Sequence, residues 1–119
     1  MNYRKLKAYQ MAFCLSVQIH DITRNFPKAE QYSLTDQIRK SSRSVCASIA
    51  EGYRKRRYPK HFINKLSDAD SENSETMVWL EFSEVFKYID NDLFNELSTK
   101  CSEIGYLLHY MMKNPDKYL

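Results

Sequence analysis

Apolar side chains recur along the chain at alternating steps of three and four residues, the spacing that places them on one face of an α-helix. Turn signals separate four such rows, which predict helices over about residues 4–25, 34–55, 59–88 and 92–113. Helices of roughly 20 to 28 residues span about 30 to 40 Å, and short connections place consecutive helices antiparallel. The expected fold is all-α: an up-down-up-down antiparallel four-helix bundle, forming one domain over residues 1–119.

Prolines and capping residues mark the predicted helix ends. Pro27 ends the first helix, because the residue before a proline avoids the α region. Ser33, followed three residues later by Asp36, resembles a capping box at the start of the second helix. Pro59 suits the first turn of the third helix, and the Asp90-Asn91-Asp92 segment supplies a turn and a cap before the fourth.

The second and third predicted helices carry unusual residues on their inward faces. Seven small residues surround the apolar row of the second helix: Ser41, Ser42, Ser44, Ala47, Ser48, Ala50 and Gly52. Such a face either admits a neighbouring helix at close range or is a weakly packed surface. In the third helix, Asn73 falls on the inward row, where its amide must find hydrogen-bond partners or cost free energy.

Composition narrows the protein class. Two glycines and three prolines are too few for the turns of a sandwich or barrel, and 13% aromatic residues argue against disorder. The chain has no run of about 18 apolar residues and no apolar signal segment, so we expect a soluble, cytoplasmic protein without a membrane partner. Cys14, Cys46 and Cys101 form no close pair, which fits a reducing compartment, and we expect all three to be buried.

Charge is segregated along the sequence although the net charge is only +3. Between Arg39 and Lys65 there are nine basic residues and one acid, Glu51. Between Leu66 and Glu103 there are ten acids and two lysines. Opposite charge blocks on one small bundle favour head-to-tail association of copies, and such contacts can close into a ring.

The basic block also predicts a polyanion-binding surface. Lysines and arginines interleaved with aromatic rings over residues 53–61 offer phosphate contacts and platforms for stacking bases. The candidate phosphate contacts are Arg39, Lys40, Arg43, Arg54, Lys55, Arg56, Arg57 and Lys60. An alternative is that these cations form salt bridges with the acids of the third helix, in the same chain or in a neighbouring subunit. Charge alone leaves both interpretations open.

No catalytic residue, metal site or cofactor is predicted. A di-metal site in a bundle needs a glutamate three residues before a histidine, and none of His20, His61 and His109 has one. Phosphate-loop, zinc-ligand and nucleophile-elbow motifs are also absent from the sequence.

Two glutamates stand beside these unusual helix faces. Glu51 ends the small-residue face, and Glu75 adjoins the polar middle of the third helix. If they face inward, they need partners, for which Arg39, Arg43 or a backbone amide are the candidates. Otherwise they are ordinary surface carboxylates.

Several segments carry recognisable motifs, among them residues 32–39 (YSLTDQIR), residues 44–52 (SVCASIAEG) and residues 75–80 (ETMVWL). Together these segments resemble the family of 23S rRNA intervening-sequence proteins. The family-motif positions in this chain are Asp36, Gln37, Glu51, Gly52 and Glu75. Many relatives have proline at the position of Cys46 and asparagine at that of Ser48, so any kink in the second helix should be weaker here.

The resemblance implies a left-handed four-helix bundle that assembles as a ring, typically a homopentamer, without established enzymatic activity. A similar bundle, the accessory variability determinant of diversity-generating retroelements, is a basic pentamer that binds nucleic acid and a reverse transcriptase. We therefore expect a non-catalytic oligomer that binds RNA or other nucleic acid in association with 23S rRNA intervening sequences. The alternative is an adaptor ring that binds an unknown protein partner and no nucleic acid.

Overall fold

The regular elements of the structure are all helices, as the apolar periodicity predicts. The computed structural model describes residues 2–119, and within that range it contains no β-strand. Its α-helices are α1 (Lys7–Thr23), α2 (Leu34–Arg54), α3 (Pro59–Val85) and α4 (Asn91–Lys113). Short 3-10 turns lie before α1, between α1 and α2, and after α4, at Tyr3–Lys5, Lys28–Glu30 and Pro115–Tyr118. The predicted all-α, four-helix fold is confirmed.

Each helix packs against its neighbours in sequence, and α1 packs against α4 to close the bundle. The molecule measures 44 × 25 × 20 Å, which matches a rod one helix long and two helices wide. Because the helices alternate in direction, the start of α1, the end of α2, the start of α3 and the end of α4 meet at one end of the rod. The α1–α2 and α3–α4 connections form the other end.

Two helices are shorter than the periodicity predicts. Leu6 is extended, with ψ of 129°, so α1 begins at Lys7 and the residues before it form a separate turn capped by the Asn2 side chain. Helix α3 ends at Val85 because Lys87 adopts a left-handed conformation with φ of 63°. The N–H of Tyr88 then donates back to the Ser83 carbonyl at 2.8 Å, which reverses the chain.

The start of α2 is capped differently from the sequence prediction. The Ser33 side chain makes no capping hydrogen bond, so the predicted capping box is wrong. Instead, one Glu30 carboxylate oxygen accepts from the Leu34 N–H at 3.3 Å, and the other accepts from the Tyr88 hydroxyl at 2.8 Å. The Tyr88 hydrogen bond is the main cause that lowers the pKa of Glu30. A single carboxylate thereby links the two connections at this end of the bundle.

All four helices contribute to the apolar interior. The large apolar side chains that are less than 2% exposed are Ile19, Ile38, Ile49, Phe62, Leu66, Leu80, Leu97, Ile104 and Leu108. Cys46 and Cys101 are also buried, and burial raises the pKa of Cys46 to about 11 and that of Cys101 to about 12. Cys14 is exposed, so the prediction that all three cysteines are buried is wrong for this one. It lies just off the inward row of α1, which Ala12 and Leu15 occupy.

The small residues of α2 serve both predicted purposes. Ser41 and Ser42 are buried, and the Ser41 hydroxyl lies 2.8 Å from that of Thr76 on α3. At Gly52, an added Cβ would lie only 3.0 Å from the Lys65 Cβ, so α2 and α3 approach closely there. Ala47, by contrast, is exposed. The face is thus a close helix contact on one side and open surface on the other.

Asn73 occupies the inward row of α3, as the periodicity predicts, and it is only half satisfied. Its side chain is 6% exposed, and its Nδ2 donates to the Cys101 carbonyl on α4 at 2.8 Å. Its Oδ1 is buried without a hydrogen-bond partner among the described residues. The adjoining void, which Ser42 and Thr76 also line, is too small to hold a water molecule. This oxygen therefore costs the bundle free energy.

Replacing Asn73 should reveal that cost. Asn73→Leu loses one hydrogen bond, worth about 1 kcal/mol, but removes an unsatisfied oxygen that costs about 1 to 3 kcal/mol. We expect the free energy of unfolding to rise by about 1 kcal/mol in urea titrations at a fixed protein concentration. Asn73→Asp, which keeps the shape but buries a carboxylate near Asp70, should lower it. A leucine variant less stable than the wild type would contradict this assignment.

Candidate nucleic-acid interface

The eight predicted phosphate contacts divide into two groups along α2. Arg39, Lys40 and Arg43 lie in its first half, whereas the other five lie at its last residue, in the connection to α3 and, for Lys60, at the second residue of α3. Residues 39 and 54 are roughly 22 Å apart along the helix, at ~1.5 Å per residue. The structure therefore does not bring the eight cations into one contiguous patch.

Arg39 uses its side-chain donors for hydrogen bonds within the bundle. Its side chain is half-buried, its Nε donates to the Thr23 hydroxyl at 2.8 Å, and its Nη2 donates to the His20 carbonyl at 3.2 Å. Both acceptors belong to the last turn of α1, where carbonyl groups lack helical partners and the helix dipole favours a cation. Arg39 is thus a clamp between α1 and α2.

The two cations near Arg39 also have local partners. Lys40 pairs with Asp36 one turn earlier at 3.0 Å, an exposed pair of small energetic value. The Arg43 Nη2 lies 3.1 Å from the His20 Nδ1. Of the remaining family-motif positions in this helix, Gln37 is exposed and Gly52 provides the close α2–α3 contact.

The connection between α2 and α3 is a short, rigid corner that presents cations to solvent. Arg54, Lys55, Arg57 and Lys60 are exposed, and none forms an ion pair with a described residue. The backbone between the helices is held by a hydrogen bond of 2.9 Å from the Tyr58 N–H to the Lys55 carbonyl. Four unpaired cations on a fixed backbone suit binding of phosphate groups.

Arg56 differs from the other corner cations. Its guanidinium lies 4.3 Å from the centre of the Tyr53 ring, and its Nη1 donates to the Tyr53 carbonyl at 3.1 Å. Tyr53 is only 5% exposed, so this cation–π contact anchors the corner to the core.

The acids of α3 do not neutralise the corner. The basic residue that bridges α2 and α3 is Lys65, which lies 3.1 Å from Glu51 and 3.9 Å from Asp68. Salt bridges within the chain therefore do not account for the cations of residues 54–60 among the described residues.

The two family-motif glutamates have partners other than those the sequence suggested. Glu51 is exposed and pairs with Lys65, and Glu75 accepts from the Trp79 indole N–H at 3.3 Å. Neither contacts Arg39 or Arg43, and the exposed Glu51 is the surface carboxylate that the sequence left as the alternative.

The fold adds cations that the linear charge pattern does not indicate. The turn at Tyr3–Lys5 packs against α2, and the ring of Tyr118 lies 5.9 Å from that of Phe62 at the start of α3. Both ends of the described chain thus adjoin the corner. They bring five further basic residues to it: Arg4, Lys5, Lys7, Lys113 and Lys117.

We call this end of the bundle the basic pole and define it as residues 2–7, 51–61 and 113–119. It contains ten lysines and arginines and two acids, for a side-chain charge of +8, while the rest of the chain carries eight basic residues and 13 acids, for −5. The predicted up-down topology was the signal that could have identified the five added cations. The runs of charge along the sequence could not identify them, because such runs do not show which residues meet at one end of the bundle.

Comparison with known proteins places the fold and the motifs in one family. Residues 4–110 match the family described as 23S rRNA-intervening sequence protein. The chain belongs to this family. The resemblance inferred from the sequence motifs is confirmed.

A crystal structure of a member of the S23 ribosomal protein family from Bacteroides thetaiotaomicron, a protein of unknown function, is similar to this chain. It superposes with a TM-score of 0.81 at 26% identity, over 89% of this chain and 95% of that one. No curated protein matches the sequence. The comparisons thus indicate no catalytic family.

Over residues 2–119, none of the helices combines the length and hydropathy of a membrane span. In the same range, no three side chains of the histidine, cysteine, aspartate or glutamate type converge in a way that could hold a metal ion.

The different environments of Arg39 and Arg54 predict different effects on stability. Arg39→Met keeps the apolar stem but removes two charged hydrogen bonds, so the free energy of unfolding should fall by about 1 to 2 kcal/mol. Arg54→Met, at an exposed position without a partner, should change it by less than about 0.5 kcal/mol. Urea unfolding of both variants measures the difference, and equal effects would show that Arg39 is not a clamp.

Proposed function

We propose that this intervening-sequence protein is a non-catalytic component that binds RNA or other nucleic acid in association with 23S rRNA intervening sequences. The observation that supports this most directly is the basic pole, where nine of the ten cations are exposed and none forms an ion pair with a described residue. A charge of +8 confined to one end of a small bundle attracts a polyanion and releases its counterions on binding.

The proposed contact set differs from the one that the sequence suggests. Arg54, Lys55, Arg57 and Lys60 are its centre, and the chain ends add the nearby cations of the basic pole. Arg39 is left out because its donors are used within the bundle. Such contacts to phosphates determine affinity and register rather than sequence preference.

Salt-dependent binding tests this proposal. We expect wild-type protein to bind labelled RNA at 50 mM salt and to bind it far more weakly at 200 mM. Changing Arg54, Lys55 and Arg57 to Ser should weaken binding and reduce the slope of log affinity against log salt by about 2 on single strands, since each lost contact contributes about 0.7.

A matched control removes three exposed cations outside the basic pole by changing Arg24, Lys28 and Lys40 to Ser. It makes the same change in net charge and should leave the slope nearly unaltered. Loss of affinity equal to that of the corner variant would mean that binding follows net charge alone. If the wild type shows no binding at 50 mM salt, the nucleic-acid function is wrong and the adaptor alternative is favoured.

Self-association is the second part of the proposed function, with five copies as the number implied by the family resemblance. An apolar row along the C-terminal half of α3 and the residue that follows it supports this: Val78, Phe82, Val85 and Phe86 are 43%, 44%, 70% and 49% exposed. Adjacent rings from Trp79 to Tyr88 extend this row, with centroids less than 6 Å apart. Exposed apolar surface of this kind marks contacts between proteins, so a second copy is the proposed occupant.

Light scattering coupled to gel filtration measures the assembly. A ring of five copies of the 14.2 kDa chain has a mass of about 71 kDa. Val85→Glu should lower the measured mass, because a carboxylate would be buried in the contact. Val17→Glu, an exposed valine on α1, should not. A monomeric wild type at micromolar concentration would overturn the ring, and dissociation only by Val17→Glu would move the contact to α1.

A further inference from the structure

We infer that the basic pole is built for single-stranded nucleic acid and that an unpaired base stacks on Tyr58. This inference rests on the proposed nucleic-acid function and specifies the form of the ligand. The feature that carries it is an aromatic ring presented to solvent in the centre of the unpaired cations.

Tyr58 is exposed in a fixed position. Its side chain is 66% exposed, although its backbone is tied at both groups: the N–H donates to the Lys55 carbonyl at 2.9 Å, and the carbonyl accepts from the Phe62 N–H at 3.0 Å. Pro59 follows as the first residue of α3 and restricts the backbone further. The ring is therefore held ready for a ligand without a large loss of backbone entropy on binding.

At least one face of this ring is available to a base. Its one aromatic neighbour among the described residues is His61, whose ring lies 6.2 Å away at an interplanar angle of 82°. The two rings therefore meet edge to face, a contact that covers at most one face of Tyr58, and none of the described cations lies over the ring. The ring of Tyr110, by comparison, has the Lys117 ammonium 5.1 Å from its centre.

The cations around Tyr58 match the backbone of a strand whose base is on the ring. Arg57 precedes Tyr58, Lys60 follows two residues later, and Lys55 bonds to its backbone; all three are exposed and unpaired. A single strand can turn its bases onto aromatic rings while its phosphates contact flanking cations. A duplex keeps its bases stacked inside, so it would use the cations and leave the ring without a ligand.

The test compares a 12-nucleotide oligouridylate with a 12-base-pair RNA duplex at 50 mM salt. We expect the wild type to bind the single strand more tightly. Tyr58→Ser should weaken single-strand binding by about tenfold, the usual order for one lost stacking contact, and should change duplex binding by less than twofold. Tyr58→Phe, which retains the ring, should bind the single strand like the wild type.

Tyr32→Ser is the matched control, because Tyr32 is 87% exposed and lies at the opposite end of the bundle. It should leave both affinities unchanged. Tighter duplex binding, or equal losses on both ligands with Tyr58→Ser, would overturn the inference while leaving the nucleic-acid function in place. Binding of neither RNA by the wild type would overturn both.

Discussion

The burial of four apolar helix faces in strictly alternating directions is the constraint on which the rest of the structure depends. A helix can hide its apolar row only against other rows, and connections of a few residues leave antiparallel packing as the available arrangement. Alternation has a second consequence: the start of α1, the α2–α3 corner and the end of α4 meet at one end of the rod. Residues that are far apart in sequence, such as Lys5, Arg57 and Lys113, thereby share one surface.

Some charged side chains are used in contacts that stabilise the fold, whereas others remain free to contact a ligand. Arg39 donates hydrogen bonds to the last turn of α1, and Arg56 makes a cation–π contact with the Tyr53 ring. Lys65 forms salt bridges with Glu51 and Asp68. Most of the exposed cations that form no ion pair with a described residue lie in the basic pole. Asn73 shows the cost of polar groups inside the bundle, since its side-chain oxygen has no partner among the described residues. Burial of the apolar helix faces offsets the free-energy cost of this unpartnered oxygen.

The helices and the family were predictable from the sequence because apolar periodicity and the motif over residues 32–39 are local signals. The helix ends were less predictable: Glu30 caps α2 in place of Ser33, and this depends on Tyr88, which is distant in sequence. Arg39 looked like a phosphate contact because its charge is visible in the sequence and its hydrogen bonds to α1 are not. Conversely, Arg4 and Lys117 were overlooked because the charge runs were read along the sequence, whereas the antiparallel order of the helices is what brings these residues to the corner.

Mapping of backbone amide shifts during titration with oligouridylate tests most directly whether the fold concentrates polyanion binding at one end. The largest changes should fall on residues 4–7, 54–61 and 113–118, which belong to three chain segments but one surface. Residues 24–33 and 86–91, at the other end of the rod, should be nearly unaffected. Changes centred on that other end, or spread along α3, would contradict the assignment of the basic pole as the binding surface.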